Sequence, residues 1–281
     1  MKFRFKPNFP SYLDIELTNA CQSVCAMCPR EKIREIGLMS DETFNNLFLA
    51  LKNYNLIKKV AFCGLGESLL HPKALEYIAK IRELSKNIKI TLITNAERLS
   101  PETFEILKNL EIDSIIISIQ ALDETLYNKL MAKLDYKKVM ANIEYISKNQ
   151  NFKTKIFLKC VKNKLNEDEI PKLIEFAKIK NLKLSLSNIA SRGGNLVNAN
   201  LMDTPIKNEK IQSCRIFENI NFVSWKGKIY PCCQDVSRHY PIANINVQGF
   251  YDVAKIKTEI LINDRLKYKI CEYCNDEARY I

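Results

Sequence analysis

The chain of 281 residues has no apolar run long enough to cross a membrane; the run SIIISI at 114–119 is only strand-sized. Its opening, MKFRFKPNFPSYLDIEL, lacks the apolar core of a signal peptide. A cytoplasmic location and no membrane partner are therefore expected. Internal repeats and low-complexity linkers are also missing. Despite a net charge of +11, there is no long basic run and no arginine cluster. The lysines interleave with glutamates, which describes a solvated surface rather than a nucleic-acid footprint, so no nucleic-acid partner is expected. What the chain does have is ordinary for a globular protein, 47% apolar and 27% charged residues, with length enough for a large core. It also has ten cysteines. In a reducing compartment these read as metal ligands before disulfides.

Through the first two-thirds, strand and helix patterns alternate. Strands are expected at 13–17, 59–63, 88–94, 114–120, 156–161 and 182–188. The run at 114–120 is apolar enough to be covered on both faces. Helices are expected near 41–53, 73–86, from 101, at 123–131, 136–149 and 167–180. Ser40 and Ser100 are placed as N-caps, the latter followed by Pro101. Asn166 with Glu169 resembles a capping box. Six strand–helix units predict an α/β fold with a parallel sheet, a barrel-like one too short for eight units. From about residue 205 the alternation stops, Trp225–Lys228 reads as a hairpin turn, and half of the cysteines follow. Two domains are expected, 1–205 and 206–281, the second a small α+β unit needing a metal staple.

Cys21, Cys25 and Cys28 stand in TNACQSVCAMCPR just after the first strand, in a Cys-x3-Cys-x2-Cys spacing. Three thiolates hold three irons of a [4Fe–4S] cube and leave one iron open for chemistry. By themselves they also suit a zinc site or free thiols. The spacing, with Met27 before the last cysteine, resembles the radical S-adenosylmethionine (radical SAM) enzymes. That resemblance spans roughly residues 11–190 and implies a partial (β/α)6 TIM-like barrel. It further implies that Gly64, Gly66 and Glu67 bind the methionyl ammonium of S-adenosylmethionine, with Ser68 in place of the usual proline. Met27, Asn95 (before Ala96 rather than glycine) and Ser118 would complete the cofactor site. Each of the last two is nearly as well read as a satisfied polar residue at a strand end.

Cys214, Cys232, Cys271 and Cys274 form a second set, suited to tetrahedral zinc or to a closed iron–sulfur cluster. Beside the barrel motifs it is similar to the twitch domain, a shortened SPASM domain with one auxiliary [4Fe–4S] cluster. Cys233 stands as the alternative to Cys232. Cys63 and Cys160 are expected in the core.

Asp14 and Glu16 share one strand face, either toward substrate or at the barrel's bottom rim. Arg192, on the loop after the last strand, suits a carboxylate, a phosphate or an oxyanion, or else belongs to a plain linker. The resemblance implies cleavage of S-adenosylmethionine to a 5′-deoxyadenosyl radical, hydrogen abstraction, and electron loss to the auxiliary cluster. As a two-cluster enzyme the chain most resembles the 2-deoxy-scyllo-inosamine dehydrogenase-like enzymes. Dehydrogenation of a sugar, cyclitol or nucleotide-sugar alcohol, with or without a phosphate, is expected, together with a flavodoxin- or ferredoxin-type reductant. Peptide maturation, disfavoured by a barrel beginning near residue 11, and dehydratase or epimerase chemistry are the alternatives within the class. A zinc or nucleic-acid-binding protein is the alternative outside it.

Overall fold

The computed structural model describes residues 10–196, 199–202, 213–263, 266–276 and 279–280. The expected domain boundary at 205/206 lies outside these. Six parallel strands, β1 (Tyr12–Ile15), β2 (Lys59–Phe62), β3 (Lys89–Thr94), β4 (Ser114–Ser118), β5 (Lys155–Lys162) and β6 (Lys183–Asn188), lie side by side in chain order. Helices α1 (Asp41–Asn53), α2 (Ala74–Leu84), α3 (Pro101–Asn109), α4 (Glu124–Leu130), α5 (Tyr136–Asn149) and α6 (Ile170–Ile179) run between them. This is the expected partial barrel. Ser40 and Ser100 each accept the N3 backbone N–H, from Thr43 and Thr103, as their cap positions require.

The sheet has two unlike faces. Leu13, Ile15, Val60, Phe62, Ile90, Leu92, Ile115 and Ile117 are fully buried in one core with Phe44, Leu47, Ile78 and Phe104 of the helices. The alternate residues, Asp14, Ala61, Thr91, Ser114, Ile116 and Ser118, are only half-buried. So β4, expected to be covered on both faces, has a polar, partly open inner face, where Thr91 and Ser114 pair through their hydroxyls at 2.8 Å.

The Asn166–Glu169 box does not form. Asn166 is fully buried and turns its amide to the Gln120 carbonyl at 3.1 Å, the Val161 carbonyl at 3.1 Å and the Cys160 sulfur at 3.3 Å. Glu169 accepts from the backbone N–H groups of Leu122 and Asp123. Long-range partners outcompete the local cap.

The tail extends the same sheet. Strand β7 (Ile220–Val223) pairs in parallel with β1, and β8 (Lys228–Tyr230) and β9 (Ala243–Asn244) follow antiparallel. The turn at Gly227, with φ of 77°, joins β7 to β8 as expected. Val223, Ile229, Ala243, Phe250 and Val253 join the barrel's core rather than forming their own. Helix α7 (Arg215–Asn219) precedes β7, and α8 (Phe250–Ile262) and α9 (Lys269–Glu272) close the tail. No described helix is long and apolar enough to cross a membrane.

Candidate active site and its second cysteine centre

Every barrel residue singled out for chemistry sits at the C-terminal ends of the parallel strands, where such folds place their sites. The loop after β1 carries Cys21, Cys25 and Cys28. A charge on Cys28 or Cys21 raises the Cys25 thiol, and Cys28 likewise raises Cys21, so the three lie together. Burial is the larger cause for each and pushes Cys25 to about 12. Ser23 reaches the Cys25 sulfur at 3.0 Å, and the Asn95 amide donates toward the Cys21 sulfur at 3.8 Å.

The loop after β2 packs directly on this cysteine loop. A Cβ on Gly66 would meet the carbonyl oxygens of Thr18 and Ala20 at 2.2 and 2.5 Å. On Gly64, at φ of 152°, it would meet the Glu16 side chain at 2.6 Å. These glycines admit the chain's own neighbouring segments, a role their position at the strand end did not disclose. Arg30, unassigned from sequence, ties the two loops by donating to the carbonyls of Asn19 (3.1 Å) and Leu65 (2.8 Å). Glu67 is buried; its carboxylate accepts from Thr94 Oγ1 (2.9 Å) and from the backbone N–H groups of Asn95 (2.8 Å) and Leu69 (3.2 Å). Ser118 is half-buried at the end of β4.

Met27 borders a cavity of about 230 Å³ with Lys159, Val161, Ser187, Arg192 and Gln234. Arg192, at a left-handed φ of 54°, faces Cys28 and Cys233 and lowers both thiols against the rise from burial. Asp14 lies on the inner face beside Cys63, whose thiol it hydrogen-bonds. Burial lifts its carboxyl to about 6, with Cys63 and Lys257 opposing. Cys63 therefore belongs to the inner face and not to the packed core, whereas Cys160 is fully buried as expected.

Glu16 corrects a second expectation. It is neither open to a substrate nor at a bottom rim, being fully buried and paired with Arg238 at 2.7 Å, while accepting from the Leu65 N–H at 2.9 Å. The Arg238 guanidinium lies 4.5 Å from the Phe222 ring centre and 4.9 Å from that of Tyr230. This pair ties barrel to tail.

The second cysteine set converges in the tail. Charge on Cys271 and Cys274 raises Cys232, and charge on Cys214 and Cys274 raises Cys271, behind burial in both cases. Charge on the adjacent Cys233 also raises Cys232, while Cys233 itself is raised by burial and by Asp14 and lowered by Arg192. Burial draws the Lys257 ammonium down to about 7, with charge on Cys232, Cys214 and Asp14 opposing.

All ten cysteines are free thiols, and charges act among Cys21, Cys25 and Cys28 and among Cys214, Cys232, Cys271 and Cys274, although among the described residues no three such groups stand close enough to hold a single metal ion. Adjacent buried thiolates repel one another until a cationic centre binds them. In number and type, three thiols and four suit the chemistry of one open and one closed iron–sulfur centre.

Comparisons with known proteins bear on the family. Residues 15–177 match the Radical SAM superfamily and residues 214–275 the SPASM iron–sulfur cluster-binding domain. A Pyrococcus furiosus tungsten-containing aldehyde ferredoxin oxidoreductase cofactor-modifying protein is 23% identical over 254 residues, 79% of this chain and 70% of that one. A GTP 3′,8-cyclase of Campylobacter lari is 31% identical over 175 residues, 60% of this chain and 52% of that one. The chain thus spans only about half the length of the cyclases it matches. Among solved structures, BtrN in complex with AdoMet and 2-DOIA superposes with a TM-score of 0.66 at 18% identity, covering 95% of this chain and 94% of that one. Streptococcus suis SuiB bound to precursor peptide SuiA superposes at 0.75 and 19%, covering 95% and 70%. At these identities the likeness is one of fold. With more than half of its length inside the family match, the chain belongs to the Radical SAM superfamily and is a radical SAM enzyme with an auxiliary iron–sulfur cluster domain.

Proposed function

We propose that the enzyme dehydrogenates an alcohol of a sugar, cyclitol or nucleotide-sugar held against the inner face of the barrel. Cys21, Cys25 and Cys28 would hold the cluster that binds S-adenosylmethionine; Cys214, Cys232, Cys271 and Cys274 would hold the auxiliary one. Glu67 would accept from the methionyl ammonium, with Met27, Asn95 and Ser118 along the rest of the cofactor. When bound, these groups supply a 5′-deoxyadenosyl radical that takes one hydrogen atom and an acceptor that takes one electron.

One proton then remains to be removed from the hydroxyl for a ketone to form, and the chain must supply its acceptor. Asp14 is the observation that carries this reading. It is an inner-face carboxyl, raised by burial to about 6 and flanked by Cys63 and Cys233. A base poised near the working pH both accepts and releases its proton readily. Arg192 and Lys159, on the cavity wall, would orient a phosphate or another anionic group of the substrate. The likeness of fold to BtrN, a structure holding AdoMet and 2-DOIA, is consistent with a cyclitol-sized substrate. A flavodoxin- or ferredoxin-type protein would supply the reducing electron, in the cytoplasm.

The test is anaerobic reconstitution with iron and sulfide, followed by assay against sugar and aminocyclitol alcohols. Formation of 5′-deoxyadenosine with a matching amount of ketone is expected. Deoxyadenosine with no ketone from any such alcohol overturns the dehydrogenase reading. Replacing Cys21, Cys25 and Cys28 by alanine should remove one cluster's iron and all cleavage of S-adenosylmethionine.

A further inference from the structure

Helix α8 packs its apolar stripe into the core, with Phe250, Val253 and Ala254 all buried. The next position on that stripe by helical spacing is Lys257. It is 2% exposed, where a leucine would be expected. Breaking a local pattern at a buried position without a compensating gain in packing marks a functional residue.

Its surroundings say what the charge is for. Nζ donates to the Ile220 carbonyl at 2.5 Å and lies 5.1 Å from the centre of the Phe217 ring. That ring and Leu266 form a buried cluster against which Cys214, Cys271 and Cys274 pack. Among the described residues no carboxylate lies within ion-pairing distance of Lys257. The charged groups facing it are Cys232 and Cys214 of the quartet and, on the barrel side, Asp14. The ammonium is thus buried between the cysteine quartet and the inner face of the barrel. A carbonyl and an aromatic face hold it there, and neither neutralises it.

We propose that Lys257 raises the reduction potential of the four-cysteine centre, keeping it a ready electron acceptor. The inference rests on reading that centre as an iron–sulfur cluster. Adding one electron makes the centre more negative by one unit, and the protonated Lys257 nearby in a poorly screening interior favours that state. No bond is made or broken at Lys257. It acts through the centre as a positioning residue for charge.

The experiment uses the full chain with Cys21, Cys25 and Cys28 replaced by alanine, so that only the quartet's cluster is read. Iron and sulfide are counted first, and the midpoint potential is then followed by electron paramagnetic resonance. Lys257→Met is expected to shift the midpoint to lower potential, and Lys257→Arg to restore most of it. An unchanged midpoint in Lys257→Met with iron retained overturns the inference and leaves the second cluster standing. Absence of iron in the triple-alanine parent removes both. Should Lys257→Met lose its iron, Lys257→Gln keeps a donor for the Ile220 carbonyl without the charge. The same downward shift is then expected, and its absence is equally fatal.

Discussion

Ser191 and Asn275 hold each other across the junction of barrel and tail. The Ser191 N–H donates to Asn275 Oδ1 at 2.7 Å, and the Asn275 N–H donates to Ser191 Oγ at 3.3 Å. Ser191 Oγ in turn donates to the Tyr273 carbonyl at 2.6 Å. The strap lies next to Arg192 on one side and one residue from Cys274 on the other. Gly193 and Gly194 complete it, since a Cβ on either would meet Ile270 or Tyr273 at under 3 Å.

Cutting that strap should loosen the tail before it unfolds the barrel. Ser191→Ala keeps the Ser191 N–H bond but takes the hydroxyl partner from the half-buried Tyr273 carbonyl and Asn275 N–H, a cost of roughly 0.5–1.5 kcal/mol per hydrogen bond lost. Urea unfolding should show that loss, and hydrogen exchange should show reduced protection at 270–275 with the β1–β5 amides unchanged.

Glu67→Gln removes the negative charge and sets an amide NH2 against one of the donors that the carboxylate accepts from, and Glu67 is the group proposed to take the methionyl ammonium. A charge-assisted hydrogen bond to an ammonium contributes enough that S-adenosylmethionine should bind about 10- to 100-fold more weakly. Equilibrium binding of the cofactor to the reconstituted enzyme measures this directly.

With Asp14 as the proposed base, a pH dependence is expected. A base works deprotonated, so ketone formation should be full above about 6 and decline as pH falls through that value. The groups facing Asp14 are Cys63, Cys233 and Lys257. Asp14→Asn should abolish the acid limb and lower ketone formation by about 10²- to 10⁴-fold, while deoxyadenosine still forms. Comparing the two products against pH separates this base from a merely structural carboxyl.

Arg238→Met should be severe, because it strands a fully buried Glu16. Removing one partner of such a pair costs about 3–5 kcal/mol. Burial already raises the Glu16 carboxyl, so protonation should relieve part of that cost and the deficit should shrink at lower pH. Adding Glu16→Gln to Arg238→Met should recover stability in urea titrations, whereas two independent losses would add.

The residues that sequence disclosed and those it hid differ in the range of their partners. Ser40 and Ser100 cap their own helices, and the apolar-rich runs of β1 through β6 alternate with helical stretches, so both were legible from adjacent residues. The cysteine trio was legible because its spacing is itself the chemistry. Asn166 misled because its amide is turned to Gln120, 46 residues away, and back to Cys160 and Val161, rather than to its own helix. Arg238 gave no signal, since its carboxylate lies 222 residues earlier. Cys63 read as core because a thiol in an apolar strand discloses nothing about which face it takes. Lys257 passed for one lysine among many until its burial was known.

The parallel pairing of β7 with β1 has a last consequence, for engineering. The tail supplies the hydrogen-bonding partner for the first barrel strand and part of the shared core. It is therefore not a detachable module. Grafting it onto another barrel would leave two raw sheet edges, one on the donor and one on the graft. Chimeras cut at the junction should aggregate, whereas exchanges that carry β1, β7 and the cysteine loop together should stay soluble.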